Sequence, residues 1–531
     1  MKILGFCAGA VRTQRIDGED VRTAYVKSPV PPPWVVTATG AQGDQVAVHT
    51  NHLYAIDRLS YDHWGYPDAE DGLFAENLTL DELDQSALRV GDRFRLGTAV
   101  VVVTGPRIPC WKLTWRLGRP KTFQREFRLS GRSGVYLDVV TPGVVEPGDP
   151  LVPVSGDPGA PTVAELARLC DSGPSITPAD RDVIDRALAR PDLSDGVRGT
   201  LTLKLANHER DSATDGWRGW RRFSVDEVVP ESPDVNSYVL RPVDAGPLAG
   251  FRAGQHVVVR IGDVVRTWSL SRYGTDHYRI TVKHRGAGSA ALASASTVEL
   301  RSPAGRFHLD RGSFRPVVLV ASGIGITPMI AMIQAHLDRN GFVPPLWLLY
   351  RTRAERTAFG AYLDALFARH EHLHLRYFSA PLTAERVVDV MRDNYLPGAG
   401  DVPWFESDVY VCGSLAFTTE VRAGLIALGA NPDLVFAEDF VAAAAAPAGP
   451  SRRTDAVVRF GDRETVWSAS AEQTLLELAE AAGLDRPYDC RAGTCRTCEA
   501  RVLDGAVEGP VVGDRALLCT SYPLTDRVVV E

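Results

Sequence analysis

The sequence predicts a multidomain chain of mixed β and α/β class, and three observations carry that prediction. Its 531 residues exceed what a single core organises, at roughly 100–200 residues per domain. Short β-branched runs broken by Gly and Pro fill residues 1–155 and again 217–312, whereas 315–440 alternates apolar strands with helical segments. Cys490, Cys495, Cys498 and Cys519 crowd the C-terminal end while the other four of the eight cysteines stand apart, so spacing is more informative than number.

Composition excludes several classes. An apolar fraction of 45% and a charged fraction of 23% are those of a globular protein, not a disordered one. Acidic residues outnumber basic ones, 66 to 58, for a formal charge of −8, which argues against a nucleic-acid backbone as partner. No apolar run reaches the ~18–20 residues of a membrane span, so no membrane partner is expected. Residues 1–8 resemble a short signal segment, but one basic residue precedes them and Arg12 closes the run early. A buried first strand and a cytoplasmic, reducing location are expected instead.

Taken in order, residues 1–155 open with strands, among them 99–104 and 134–140. In 160–210, Val163, Leu166, Leu169, Ile184 and Leu188 recur at helical spacing, predicting a small helical domain. A polar linker is expected at 208–216 and an Ala/Pro/Gly/Ser-rich one at 441–453. Between them, 217–312 is strand-rich. In 315–440 the runs 317–321, 346–350 and 409–412 suggest a parallel sheet. Residues 454–531 open strand–turn–strand, then a helix over 472–482, then the cysteines.

Cys490-x4-Cys495-x2-Cys498 followed by Cys519 is the plant-type [2Fe–2S] spacing. A compact loop must bring three thiolates to one cluster while a distant segment supplies the fourth, and Gly493 allows the tight winding. Tetrahedral zinc also takes four cysteines, but its sites use paired short C-x2-C units. The segment resembles plant-type ferredoxins over its whole length. That resemblance implies a β-grasp fold and assigns Cys490, Cys495, Cys498 and Cys519 as cluster ligands.

Upstream, strand 317–321 runs into Gly323-Ile324-Gly325-Ile326-Thr327-Pro328. Two glycines let the backbone approach a pyrophosphate, Thr327 can cap the following helix, and Pro328 suits its first turn. Arg266-Thr267-Trp268-Ser269 and Gly286-Ala287-Gly288-Ser289 precede this turn, and Val411-Cys412-Gly413-Ser414 and Glu438-Asp439-Phe440 follow it. In that order they resemble the ferredoxin–NADP reductase family. The resemblance implies a flavin-binding antiparallel β-barrel over 217–312 and an NAD(P)-binding parallel α/β sheet over 315–440. Arg266 and Thr267 would hold a flavin (FAD or FMN), Trp268 flank its ring, and Ser269 stand near the reactive nitrogen. Gly286, Gly288 and Ser289 would line the flavin phosphate. Gly323, Gly325 and Thr327 would hold NAD(P)H, with Cys412 and Gly413 near the nicotinamide, and Phe440 would be a further cofactor-binding residue. Cys412 reads equally as a buried core thiol. Arg351 and Arg353 follow the strand where a 2′-phosphate would sit, or form an exposed loop. The order flavin, nicotinamide, C-terminal cluster resembles the phthalate dioxygenase reductase branch.

In the first domain Arg107-Ile108-Pro109-Cys110-Trp111-Lys112 follows a strand, with 74–79 and 131–134 nearby in sequence. These resemble the MOSC family, a molybdenum-cofactor-binding β-barrel. Residues 160–210 resemble the three-helix extension of its YiiM-like members. The resemblance implies Cys110 as the molybdenum thiolate, Arg107 and Arg132 as holders of the pterin phosphate, and Glu76 and Asn77 as readers of pterin edges. Where relatives carry a His-Gly-Gly stretch this chain has 48–55 without the double glycine, and Ala75 replaces a glycine.

Two functions follow as expectations. One is an NAD(P)H-dependent oxidoreductase passing electrons through flavin and [2Fe–2S] to a molybdenum cofactor at Cys110, reducing a small N-hydroxylated substrate. The other is a flavin/[2Fe–2S] reductase serving a separate oxygenase or redox partner, with a non-catalytic MOSC domain.

Overall fold

The computed structural model describes all residues except 17–18, 46–51, 172–175, 212–215, 218, 275, 340–342, 394–403, 440–449, 453, 485, 489–490, 492 and 494–495. The described chain forms two compact units, Met1–His208 with Asn431–Asp433, and Glu209–Ala430 with Leu434–Glu531.

In the first unit the opening strand Ile3–Ala8 is largely buried, as its apolar residues require. Eight strands lie in the order Leu151–Ser155, Arg93–Leu96, Ala99–Pro106, Val135–Thr141, Leu53–Asp57, Leu78–Leu80, Ile3–Ala8, Ser28–Pro29. Pairing is antiparallel except between Leu53–Asp57 and Leu78–Leu80. Lys2 bridges Pro150, and the Leu151 N–H donates to the Met1 carbonyl, so the chain's first residues meet the strand at the far end and the sheet closes as a barrel. Val101 and Val103 face its core with the strand period of two.

Three helices follow, Val163–Asp171, Pro178–Leu188 and Asp195–Asp211. Leu166, Leu169, Ile184, Val197 and Leu201 pack together beneath Val90. The stretch expected as a linker at 208–216 begins inside the third helix. Its His-Glu-Arg-Asp opening is polar but carries no Gly or Pro to break helical hydrogen bonding; residues 212–215 lie outside the described residues.

The second unit starts with a six-stranded antiparallel sheet ordered Val264–Ser269, His256–Ile261, Thr297–Leu300, Arg221–Ser232, Val235–Pro242, Tyr278–Lys283. The Leu270–Ile280 bridge joins its two ends into a second barrel, filled by Phe223, Tyr238, Val257, Tyr278 and Leu300.

Next comes a fully parallel sheet ordered Leu373–Phe378, Leu346–Arg351, Val317–Ser322, Asp408–Gly413, Val435–Asp439. The strand order reverses between Val317–Ser322 and Asp408–Gly413. Open α/β sheets bind ligands outside the carboxyl ends of strands at that switch point. Most of 441–453 lies outside the described residues.

The last segment is a sheet ordered Arg463–Trp467, Ala456–Phe460, Arg527–Val530, Glu499–Asp504, Arg515–Leu517, Val511–Val512, with one helix, Leu475–Ala481. That helix begins later than expected because Thr474 and Glu477 form a reciprocal capping box. Among the described residues no helix is long and apolar enough to cross a membrane.

Candidate functional site

In the second barrel, strand Val264–Ser269 brings Arg266 opposite Val259 and Ser269 opposite His256. Ser269 is buried, and Trp268 packs partly against the barrel core. Residues 286–289, some twenty positions later in sequence, fold back onto this strand. The Ser289 hydroxyl accepts the N–H groups of Arg285 and Gly286 at 3.0 and 3.1 Å and donates to the Gly286 carbonyl at 2.8 Å. This turn starts helix Ala287–Ser294. A Cβ on Gly288 would stand 2.7 Å from Arg266 Cγ and 2.8 Å from its Nε, so only glycine lets the Arg266 side chain lie across the first turn. A guanidinium beside a helix N-terminus is a cradle for an anion.

At the switch point of the parallel sheet, Ala321 pairs with Cys412. A Cβ on Gly325 would stand 2.2 Å from the Cys412 carbonyl oxygen, and one on Gly413 would stand 2.7 Å from the Phe417 ring. Gly323 adopts φ +57°. Helix Ile326–Leu337 starts here without a side-chain cap. Thr327, expected to cap it, is instead within its first turn, where its buried hydroxyl donates to the Ile324 carbonyl at 3.0 Å. The Cys412 thiol is fully buried among Leu319, Ala321 and Tyr410, so what it presents to Gly325 is backbone. Arg351 ends its strand partly exposed. Phe440 lies outside the described residues.

Sequence reasoning missed a polar pair here. Glu438 stands opposite Cys412 on the neighbouring strand, with Oε1 3.6 Å from Nδ1 of the buried His256. Its Oε2 is buried without a partner among the described residues. Glu438 stood in the quoted Glu438-Asp439-Phe440 motif, but no local pattern paired it with the histidine that opens the apolar strand His256–Ile261.

Of the cysteine quartet, Cys498 and Cys519 are described, each 3% exposed within the apolar cluster of Leu475, Leu518 and Val528. Cys490 and Cys495 lie outside the described residues. The Leu518 N–H donates to the Cys498 carbonyl at 3.2 Å, tying the two cysteine-bearing segments together. Just before Cys498, Arg491, Gly493 and Arg496 take φ of +51°, +76° and +59°, and non-glycine residues adopt that region at a cost of order 1–3 kcal/mol each. The two buried soft sulfurs fit an iron–sulfur cluster.

In the first unit, Cys110 is partly buried on an aromatic cluster that includes Tyr25, Tyr54, Phe74 and Tyr136. Arg107 is buried beside it. Its Nη1 donates to the Tyr136 hydroxyl at 2.8 Å, and its guanidinium lies over the Tyr54 and Tyr136 rings at 5.2 and 5.6 Å. Burial works against this charge, but Tyr136, Tyr25 and Cys110 more than offset it and hold Arg107 above the usual arginine range. Burial pushes the Tyr136 hydroxyl up despite Arg107. Arg132 is exposed.

Glu76 and Asn77 are placed otherwise than as readers of a ligand. The fully buried Glu76 carboxylate accepts from the Tyr61 hydroxyl, from the Gly72 and Phe74 N–H groups at 2.5 and 3.1 Å, and from Thr79 at 3.0 Å. Burial raises its pKa against those bonds. Asn77 donates to the Cys7 carbonyl and to Asp44 at 3.1 and 3.0 Å and accepts from the Tyr54 N–H at 3.1 Å. Both side chains pin the loop before strand Leu78–Leu80. The Cys110 thiol beside the Arg107 guanidinium is a donor set that fits a soft metal and an anion.

Comparison with known proteins follows the same division. The MOSC domain family matches residues 42–152, the oxidoreductase NAD-binding domain 319–423, and the 2Fe-2S iron-sulfur cluster binding domain 460–524. A flavohemoprotein of Xylella fastidiosa (strain 9a5c) is 32% identical over 40% of this chain and 57% of its own length. The chain thus spans less than two thirds of that relative. Among solved structures, phthalate dioxygenase reductase is 24% identical over 59% of this chain and 98% of its own, with a TM-score of 0.37. YiiM from Geobacillus stearothermophilus is 27% identical over 38% and 98%, with a TM-score of 0.32. The chain thus carries, in order, matches to the MOSC domain, the oxidoreductase NAD-binding domain and the 2Fe-2S iron-sulfur cluster binding domain.

Proposed function

We propose that the chain takes electrons from NAD(P)H, passes them through a flavin held at Arg266–Ser269 and Gly286–Ser289 and a [2Fe–2S] cluster held by Cys490, Cys495, Cys498 and Cys519, and delivers them to a molybdenum cofactor at Cys110. The substrate class is small N-hydroxylated compounds. A flavin takes two electrons as hydride and releases them singly, and so matches a nicotinamide donor to a one-electron cluster. The chain's own contribution is positional. Arg266 and the Ala287–Ser294 helix neutralise a phosphate; Gly323, Gly325 and Gly413 admit the nicotinamide cofactor to the switch point; His256 and Glu438 hold a buried polar pair beside Ser269.

The observation that carries the molybdenum reading is the partly buried Cys110 thiol set beside the buried Arg107 cation. A thiolate is the metal-binding form of cysteine, and the adjacent guanidinium offers an anionic cofactor a charge partner. The test is metal analysis of protein purified from a host that makes molybdenum cofactor. Near-stoichiometric molybdenum, lost in Cys110→Ala, is expected; its absence from the unaltered protein contradicts the reading.

A second reading has its own observation. Glu76 and Asn77 are wholly engaged with the protein, which suits a MOSC domain that has become a scaffold. The NAD-binding and 2Fe-2S domains would then serve a separate redox partner.

A further inference from the structure

Between the second barrel and the 2Fe-2S domain, both inside the second unit, a buried arginine and a half-buried one lie beside one tryptophan. The Arg260 and Arg301 guanidiniums each lie 4.5 Å from the centre of the Trp220 ring. Arg301, on the residue that follows strand Thr297–Leu300, is 5% exposed and pairs with Glu477, which is 6% exposed. Its Nη2 donates to the Tyr522 hydroxyl at 3.0 Å. Arg260 donates to Glu299 of its own barrel at 2.7 Å and across to Glu472 at 2.8 Å. Two cations against one ring are tolerable because each meets a carboxylate; a guanidinium with neither ring nor carboxylate would not stay buried, as Arg301 is.

Both ends of this cluster lie next to the proposed redox sites. Arg260 pairs in register with Val265, and its neighbour Val259 with Arg266, so the clamp is rooted in the strand beside the flavin cradle. Glu477 is the partner of Thr474 in the capping box that starts helix Leu475–Ala481. Tyr522 stands three residues beyond Cys519, and the Leu475 N–H donates to the Ser521 carbonyl at 2.9 Å. The helix and the Cys519 segment are therefore held together, and both are held to the barrel.

We propose that Trp220, Arg260, Arg301, Glu472, Glu477 and Tyr522 form a docking clamp that fixes the cluster-bearing segment against the flavin-bearing barrel and so sets the rate of single-electron transfer between them. Each transfer oxidises the flavin by one electron and reduces the cluster by one; none of these side chains exchanges a proton or bond in it. They are positioning residues. The inference rests on the flavin and cluster assignments proposed above.

The test uses the full chain with Trp220→Leu, which removes the ring, Glu477→Gln, which leaves Arg301 without its charge partner, and Trp220→Phe, which restores an aromatic face. Stopped-flow mixing with NAD(P)H reads flavin reduction and cluster reduction separately, and hydrogen exchange reads the amides of 475–478 and 520–522. In Trp220→Leu and Glu477→Gln, cluster reduction should slow about tenfold or more at unchanged flavin reduction, with faster exchange at those amides. Trp220→Phe should recover most of the rate. Faster exchange with unaltered cluster reduction overturns the positioning role. Unchanged exchange in both variants overturns the clamp itself. If Glu477→Gln does not fold, Trp220→Leu and Trp220→Phe decide alone. A parent protein that incorporates no iron contradicts the electron path instead, and the exchange data still decide whether the clamp exists.

Discussion

The carbonyl oxygen of Cys412 occupies the space that any side chain on residue 325 would need: a Cβ there would stand 2.2 Å away. The two residues are far apart in sequence and meet because their strands are parallel neighbours where the strand order reverses. Gly325→Ala should therefore push the Gly323–Gly325 turn off the Cys412 strand. Overpacking of this kind costs about 1–3 kcal/mol. The expected result is a KM for NAD(P)H raised at least severalfold in steady-state assays with ferricyanide, with flavin content unchanged.

Gly288→Ala makes the analogous test on the other cradle. The added methyl group would meet Arg266 within 2.7 Å, and a flexible arginine yields by moving off the helix terminus. Losing a charge-assisted contact to phosphate costs about 1.5–3 kcal/mol, or roughly tenfold or more in affinity. Dialysis followed by flavin fluorescence should show the variant losing flavin that the parent retains.

Cys498→Ser and Cys519→Ser should each abolish the iron content and visible charge-transfer absorption of the 2Fe-2S domain while leaving bound flavin in place. A variant protein that still carries stoichiometric iron would place the ligands elsewhere.

Acid should loosen the second unit at one identifiable pair. Burial works to raise the Glu477 carboxyl, but the Arg301 charge and hydrogen bonds outweigh it and leave its pKa below the ordinary 4.5. A carboxyl depressed on folding contributes stability that is fully present above its unfolded value and is lost as pH falls through the folded one. Breaking a buried pair by removing one partner costs about 3–5 kcal/mol, so Glu477→Gln should lower Tm clearly at neutral pH. The gap between parent and variant should close below about pH 4.5, because protonated Glu477 then resembles Gln. A gap that persists unchanged to low pH would exclude this pair as the source.

How much of this was legible in the sequence depends on the range over which each signal acts. The alternation of apolar strands and helices in 315–440, and the valine run that became Ala99–Pro106, are local patterns, and the folded strands follow them. The Gly288–Arg266 contact was readable only as two motifs, since their meeting depends on how the barrel closes. His256 and Glu438 show why some site residues escape: a single histidine in an apolar strand carries no local mark, and its partner comes from another sheet. Glu76 and Asn77 show the reverse. Their motif suggested ligand contact, but a carboxylate buried completely takes hydrogen bonds from the nearest donors, and those are the backbone N–H groups of its own loop. Thr327 is similar, because the helix begins one residue before it and turns its hydroxyl toward Ile324.

The central claim is a single electron path ending at Cys110. The most direct test follows NAD(P)H consumption driven by an N-hydroxylated acceptor in the parent, Cys110→Ala and Cys519→Ser proteins, with ferricyanide reduction measured beside it. Both variants should lose N-hydroxyl reduction by at least a hundredfold, about 2.7 kcal/mol of barrier, while each keeps ferricyanide reduction near the parent rate. Undiminished N-hydroxyl reduction in Cys110→Ala would contradict it.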